Sequence, residues 1–202
     1  LDMGSFAAMA SGGSAGLLAD LPTRTHGLAN LPQQAAFVWR EVPVPVIAAV
    51  HGFCLGGGIG LAGNADVIVA SDDAYFGLPE VDRGALGAAT HLGRLVPQHK
   101  MRAMVYTSAT ATAAELHAFG SVLEVVPREQ LRALALDVAG SIASKSPRVI
   151  RAAKESLNGI DLWDVKRSYR FEQGFTFELN LSGVSDELRD AFVEGREADT
   201  ST

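Results

Sequence analysis

Cysteine is nearly missing from this 202-residue chain: Cys54 stands alone. No internal disulfide can form, and a reducing, cytoplasmic setting is expected. An excess of positive charge is missing too. The net charge of -6 excludes a surface built for nucleic acid, which needs clustered Lys and Arg; a local basic patch could still hold one nucleotide-like group. No apolar run approaches the roughly 20 residues that span a bilayer, and the start lacks the charged-then-apolar order of a signal peptide, so no membrane partner is expected. The five histidines form no metal-ligand cluster, so no metal is expected. Internal repeats and charged low-complexity tracts are also lacking. What is there, 48% hydrophobic and 20% charged residues, suits one globular domain with a sizeable core.

The chain opens abruptly at Leu1-Asp2-Met3-Gly4, with neither an initiator Met nor a capped element, and is expected to be cut or incomplete upstream. Residues 4–35 are rich in Gly, Ala and Ser, with Pro22 and Pro32 as breakers, and predict a helix start followed by a long loop. Gln33 to Glu41 reads as helical and ends at Pro43 and Pro45. Val46 to Val50 and Val67 to Ala70 are short continuous apolar runs, the pattern of strands buried on both faces of a mostly parallel sheet. Val122–Val126 reads as a further strand. Helices are expected near 97–106, 111–118 and 128–145, and from Pro147, which a first helical turn tolerates, to about Asn158. The last third predicts helices from Leu162 to about Leu181 and from Ser185 to Arg196. Alternating strands and helices followed by a helical tail predict an α/β core (1–145) with a helical C-terminal region (146–202).

Between the first two strands lies His51-Gly52-Phe53-Cys54-Leu55-Gly56-Gly57-Gly58-Ile59-Gly60. Glycine admits positive φ and lets a ligand approach the main chain closely. A helix start just beyond leaves N–H groups unpaired and favours negative charge. From spacing alone two explanations stand: a tight strand-to-helix crossing, or a site that stabilises an oxyanion. The run lacks the G-x-G-x-x-G fingerprint of a dinucleotide site and the Gly-Lys-Ser/Thr ending of a phosphate loop.

Wider context narrows this. Ile47-Ala48-Ala49-Val50-His51-Gly52, Leu55-Gly56-Gly57-Gly58, Ala65-Asp66 with Ile68 and Ala70, and Phe76-Gly77 with Pro79-Glu80 resemble, in order and spacing, the crotonase (enoyl-CoA hydratase/isomerase) superfamily. Gly84, Arg94-Leu95-Val96, Thr112 to Leu116, Val122 to Pro127, Lys145-Ser146-Pro147 and Ala153-Lys154-Glu155 extend the match. The resemblance implies a ββα superhelical core, a C-terminal region used for trimerisation, assembly as a homotrimer or dimer of trimers, and an acyl-CoA substrate. Coenzyme A then enters as part of the substrate, and no separate cofactor is implied. It further implies that the Gly57 amide holds the thioester oxygen as it becomes enolate-like. The second donor would lie just upstream of Leu1, since Leu1-Asp2 looks like the end of an Ala-Gly-x-Asp motif. Gly56, Gly58, Gly60, Leu78, Pro79, Leu86 and Gly87 are implied to line the substrate site, and Lys154 resembles a tail lysine near the CoA phosphates; a solvated lysine is the alternative.

Hydratases of the family place one Glu two residues after the third glycine and another in the Pro-Glu pair. Here the first position is Gly60, and glycine carries no proton. Glu80 is left as the single acid/base, and burial beside an acyl pocket would raise its pKa; the alternative is a turn carboxylate that caps the next segment. His91 falls where the family has a small residue, and either positions water or donates a proton, or is a satisfied helix-start histidine. Asp82 and Arg83 read as an ion pair or surface charges, Cys54 as a small buried residue, and His51 as structural. Trp163, Tyr169, Phe171, Phe175 and Phe177 make an aromatic helix that packs on the core or on a neighbouring subunit.

The stretches Leu78-Pro79-Glu80, Gly84 to His91 and Tyr169 to Asn180 resemble an actinobacterial branch of the family linked to steroid-ring breakdown. That branch implies hydrolytic C–C opening of a cyclic β-keto acyl-CoA. An enoyl-CoA isomerase or hydratase of lipid catabolism is a second reading, and a non-catalytic CoA-binding scaffold a third. A serine-peptidase relative is excluded, because no Ser follows the glycine turn where a nucleophile would sit.

Overall fold

A computed structural model describes residues 39–162 and 164–198. The expected long loop at 4–35, most of the helix expected over 33–41, the Leu1-Asp2 motif and Trp163 lie outside the described residues; residues 39–41 are helical.

The chain winds as a spiral that gives one strand to each of two sheets per turn. β1 (Ile47–Val50) turns at Gly52, φ +60°, into β2 (Phe53–Leu55) and then α1 (Gly57–Ala62). The next turn repeats the order with β3 (Val67–Ser71) and β4 (Tyr75–Gly77), followed by a 3-10 turn at Pro79–Arg83. β3 lies parallel to β1, with Ile47 opposite Val67, and β4 parallel to β2, with Phe53 opposite Tyr75. This ββα winding bears out the expected crotonase-like α/β class.

α2 (Ala89–Leu92) and α3 (Gln98–Thr107) follow, then β5 (Thr110–Thr112), antiparallel to β4, and α4 (Ala113–Ala118). The helix expected from residue 111 starts two residues later because Thr112 is its cap. Thr112 Oγ1 accepts from Glu115 N at 3.2 Å, and Glu115 Oε2 accepts from Thr112 N at 2.8 Å, a reciprocal capping box. The strand expected over 122–126 shrinks to β6 (Val125–Val126), which pairs with Ala70 and Ser71 of β3; Val122 instead turns into the core. α5 (Leu131–Ala143), preceded by a 3-10 turn, α6 (Pro147–Gly159), α7 (Val165–Ser182) and α8 (Val184–Glu194) complete the chain close to the expected bounds.

The core lies between the sheets and their helices: Val50, Ile59, Ile68, Phe76, Leu92, Met104 and Leu116 are buried there. Among the described residues, no helix is long and apolar enough to cross a membrane.

Polar contacts fasten the tail to this core. Lys154, expected near CoA phosphates or in solvent, is 4% exposed on α6. Its Nζ lies 2.6 and 2.7 Å from the Asp66 carboxylate oxygens. Asp66 also accepts from Val46 N at 2.7 Å, so one carboxylate ties α6 to the entry of β1. The ammonium is therefore committed to a structural pair rather than to a phosphate, a correction forced by the inward face of α6. Asp161 makes a second tie, at 2.7 Å from Arg40 and 3.0 Å from Arg94.

Lys154 is buried but Asp66 is exposed, so loss of the lysine leaves the carboxylate in contact with water and removes only the paired contact. Lys154→Met is expected to destabilise the protein by about 1 kcal/mol, measured by urea unfolding. An unchanged unfolding midpoint with weakened CoA binding would restore the phosphate role.

Candidate active site

Parallel pairing of β2 with β4 puts the ends of both strands side by side. Leu55 stands opposite Gly77, and the Gly56 N–H donates to the Gly77 carbonyl at 3.2 Å. The glycine bend that follows β2 thereby meets the Pro79-Glu80 turn that follows β4. Gly56 has φ +54°, and a Cβ there would stand 2.7 Å from Glu80 Oε1. Only glycine permits both that backbone and that approach.

Gly57 is exposed and opens α1. Its N–H precedes every intrahelical acceptor, at the end of the helix that favours negative charge. Gly58 is buried against the Cys54 thiol, 3.3 Å from an added Cβ. Gly60 is buried inside α1, where its carbonyl accepts from Asn64 Nδ2 at 2.8 Å. Of the four glycines, Gly56 and Gly57 border the carboxyl and solvent, whereas Gly58 and Gly60 serve helix packing. Burial among apolar neighbours pushes the Cys54 thiol up to about 12, which suits a packing residue.

Glu80 lines a cleft of about 600 Å³. Leu78, Val81, Leu86, Gly87, Met101, Val105 and Phe171 supply its apolar walls, and Arg102, Arg167 and Glu172 also reach it. Expected site residues Leu78, Leu86 and Gly87 are thus brought together with Glu80. Pro79 instead begins the 3-10 turn that aims Glu80. Glu80 Oε2 is buried and has no hydrogen-bond partner. Desolvation, with a further contribution from the negative charge of Glu172, pushes the Glu80 carboxyl up to about 7, against the opposing field of Arg83. A carboxyl poised near neutrality can both give and take a proton.

His91 does not line this cleft. It is 2% exposed, behind the cleft wall and against Gly63, with its ring edge-on to Tyr169 at 5.1 Å. Burial and the charges of Arg94 and Arg40 push it down to about 4, so it is neutral at pH 7. It packs the helix junction, and the expected proton-donor role is corrected. Arg83 stacks over the Phe192 ring at 4.1 Å and donates to the Pro79 carbonyl at 3.1 Å, so it steadies the Glu80 turn and fastens α8.

The sequence reasoning missed Glu172. α2 begins at Ala88 with φ +62° and no side-chain cap. Glu172 supplies one from α7: Oε1 accepts from Ala89 N at 2.8 Å, and Oε2 accepts from Thr90 N at 3.2 Å and Thr90 Oγ1 at 3.1 Å. One turn on, Thr176 Oγ1 donates to the Leu86 carbonyl at 2.6 Å. Buried Tyr169, with Glu172 and Thr176, occupies spacing i, i+3, i+7, a single helix face. An acid on the same face as a buried aromatic was the available signal. Burial holds the Glu172 carboxyl above the ordinary range, and its three hydrogen bonds offset only part of that rise.

Known proteins resemble this chain in sequence and fold. Residues 24–199 match the family model described as enoyl-CoA hydratase/isomerase. A relative from Rhodococcus jostii (strain RHA1), named (7aS)-7a-methyl-1,5-dioxo-2,3,5,6,7,7a-hexahydro-1H-indene-carboxyl-CoA hydrolase, is 72% identical over 76% of this chain and 60% of its own length. A relative of the same name from Mycobacterium tuberculosis (strain ATCC 25618 / H37Rv) is 71% identical over 76% of this chain and 62% of its own. The chain therefore spans about three-fifths of the length of these relatives. The crystal structure of carnitinyl-CoA hydratase from Mycobacterium avium superposes with TM-score 0.76 at 31% identity, covering 86% of this chain and 69% of that one. With the family match running over most of its length and relatives above 70% identical, the chain belongs to the enoyl-CoA hydratase/isomerase family.

Proposed function

We propose that the protein is an acyl-CoA enzyme that hydrolyses a C–C bond of a cyclic β-keto acyl-CoA, the activity for which the two actinobacterial relatives are named. One observation carries this: the Glu80 carboxyl, poised near pH 7, lies against the glycine bend at the end of an apolar cleft. The Gly57 N–H receives the thioester oxygen as it gains negative charge, a contribution of about 3 kcal/mol for one such donor. Glu80 carries the proton to and from the carbon that the enolate activates. Coenzyme A enters as part of the substrate, and the apolar walls suit a fused-ring acyl group.

Assembly as a homotrimer or dimer of trimers belongs to the same proposal. The tail exposes Phe171, Phe175, Leu181, Phe192 and Val193, more large apolar surface than a lone subunit ordinarily leaves to water.

Glu80→Gln is expected to lower kcat for hydrolysis of the dioxo-hexahydroindene-carboxyl-CoA by about 100-fold or more, with substrate binding retained. In the unaltered enzyme, turnover should fall as pH rises through about 7, where Glu80 loses the proton it donates. Full activity in the Gln variant would exclude Glu80 as the acid.

Stability carries the same signature. The folded protein holds the Glu80 proton up to about pH 7, whereas the unfolded chain releases it near 4.5. The folded state thus binds more protons across that window, and stability declines as pH rises from about 4.5 to about 7. Glu80→Gln removes the decline and should raise stability at pH 8 by up to about 3 kcal/mol, with little effect at pH 4. Denaturant melts at the two pH values check this, and equal effects at both would refute it.

A further inference from the structure

Hydrolysis needs something that Glu80 alone does not supply. While one group protonates the departing carbon, another must orient the attacking water and accept its proton. Gly60 has no side chain to do so. The cleft nevertheless contains a second carboxylate, delivered by the tail rather than by α1.

We infer that Glu172 is that second catalytic carboxylate, holding the attacking water and taking its proton opposite Glu80. Three geometric facts support this. Glu172 lines the same cleft as Glu80. Its two oxygens are fixed by Ala89 N, Thr90 N and Thr90 Oγ1, so its position does not depend on substrate. A carboxylate offers about four acceptor positions, and these partners use three, which leaves one for a water. All three partners are donors, the set that favours the ionised form of a carboxylate. Glu80 has no comparable set: its Oε2 is buried without a partner. Burial raises both carboxyls, but only Glu172 has three donors set against it, so Glu80 keeps its proton more tightly and Glu172 is the base.

The step balances. Water adds to the ring ketone, and its proton passes to Glu172. The C–C bond beside that carbonyl breaks, and its electron pair flows into the thioester enolate held at Gly57. Glu80 gives its proton to the carbon released. The former ketone leaves as a carboxylic acid that ionises to solvent, and transfer of the proton from Glu172 to Glu80 resets the pair.

This inference rests on the proposed hydrolase activity, and the experiment separates the two. Purified enzyme and its variants are assayed for hydrolysis of the dioxo-hexahydroindene-carboxyl-CoA, and separately for solvent-deuterium exchange into the ring-opened product. Exchange needs the proton carrier and the oxyanion donor but no water base. Glu172→Gln should slow hydrolysis by about 100-fold while exchange and thioester binding persist, and Glu172→Asp should recover part of the loss. The acidic limb of the pH–rate profile should vanish in Glu172→Gln. The charged or titratable groups that bear on that limb are Glu80, Arg83, Arg102, Arg167 and Tyr169.

Unchanged hydrolysis in Glu172→Gln overturns the inference. Loss of hydrolysis and exchange together reduces Glu172 to a helix cap and overturns it equally. Should Glu172→Gln fail to fold, Thr90→Val tests the same point, since removing one donor makes Glu172 more basic and should shift the acidic limb to higher pH; an unmoved limb refutes it. No hydrolysis by the unaltered enzyme defeats the hydrolase proposal itself, and this inference with it.

Discussion

A single main-chain bond, from the Gly56 N–H to the Gly77 carbonyl, sets the distance between the two halves of the site. It extends the β2–β4 ladder by one step past Leu55. Beyond it the strands diverge, one into the glycine bend and α1, the other into the turn that carries Glu80. Because parallel strands keep a fixed spacing of about 4.8 Å, the bend and the carboxyl meet without a side chain having to bring them together. Glycine at 56 then leaves the space into which Glu80 Oε1 fits. Nothing else in the site would matter if these two ends were out of register.

The same economy explains why Glu80 holds its proton. Phe76 and Leu78 are buried just before it, so the chain enters the turn from the core and takes the carboxyl with it. Water is excluded from Oε2, and the charge at Glu172 raises the cost of a second anion nearby. Arg83, whose charge acts against that rise, is drawn off toward Phe192 and the Pro79 carbonyl. The turn thus keeps its cation for anchoring and leaves its acid unneutralised.

Much of this was legible in the residues. Continuous apolar runs marked β1 and β3, and the Pro, Gly and cap residues placed α6, α7 and α8 within a few positions. The glycine bend and Pro79-Glu80 stood out because few structures need three glycines in a row. β2, β4 and β5 did not, since three residues are too short to establish an alternating period; their pairing is imposed by the spiral. His91 and Lys154 were left with two readings each for a common reason. Each is polar, and polarity in sequence does not say whether a partner or a packed wall awaits it. Lys154 found Asp66, and His91 found Tyr169. Glu172 escaped notice because its partners, Ala89 and Thr90, lie more than eighty positions earlier.

That separation has a bearing on how the protein comes into being. Glu172 reaches Thr90 across 82 positions, and Ser185 reaches Gly84 across 101. Loops of that span close late, after the local hairpins and helices have formed. A chain growing from its N-terminus will hold both strand ladders, the bend and Glu80 well before α7 emerges to cover the wall beside them. During that interval the cleft is a half-walled, greasy trough, and its conversion into a working centre awaits the arrival of the final helices.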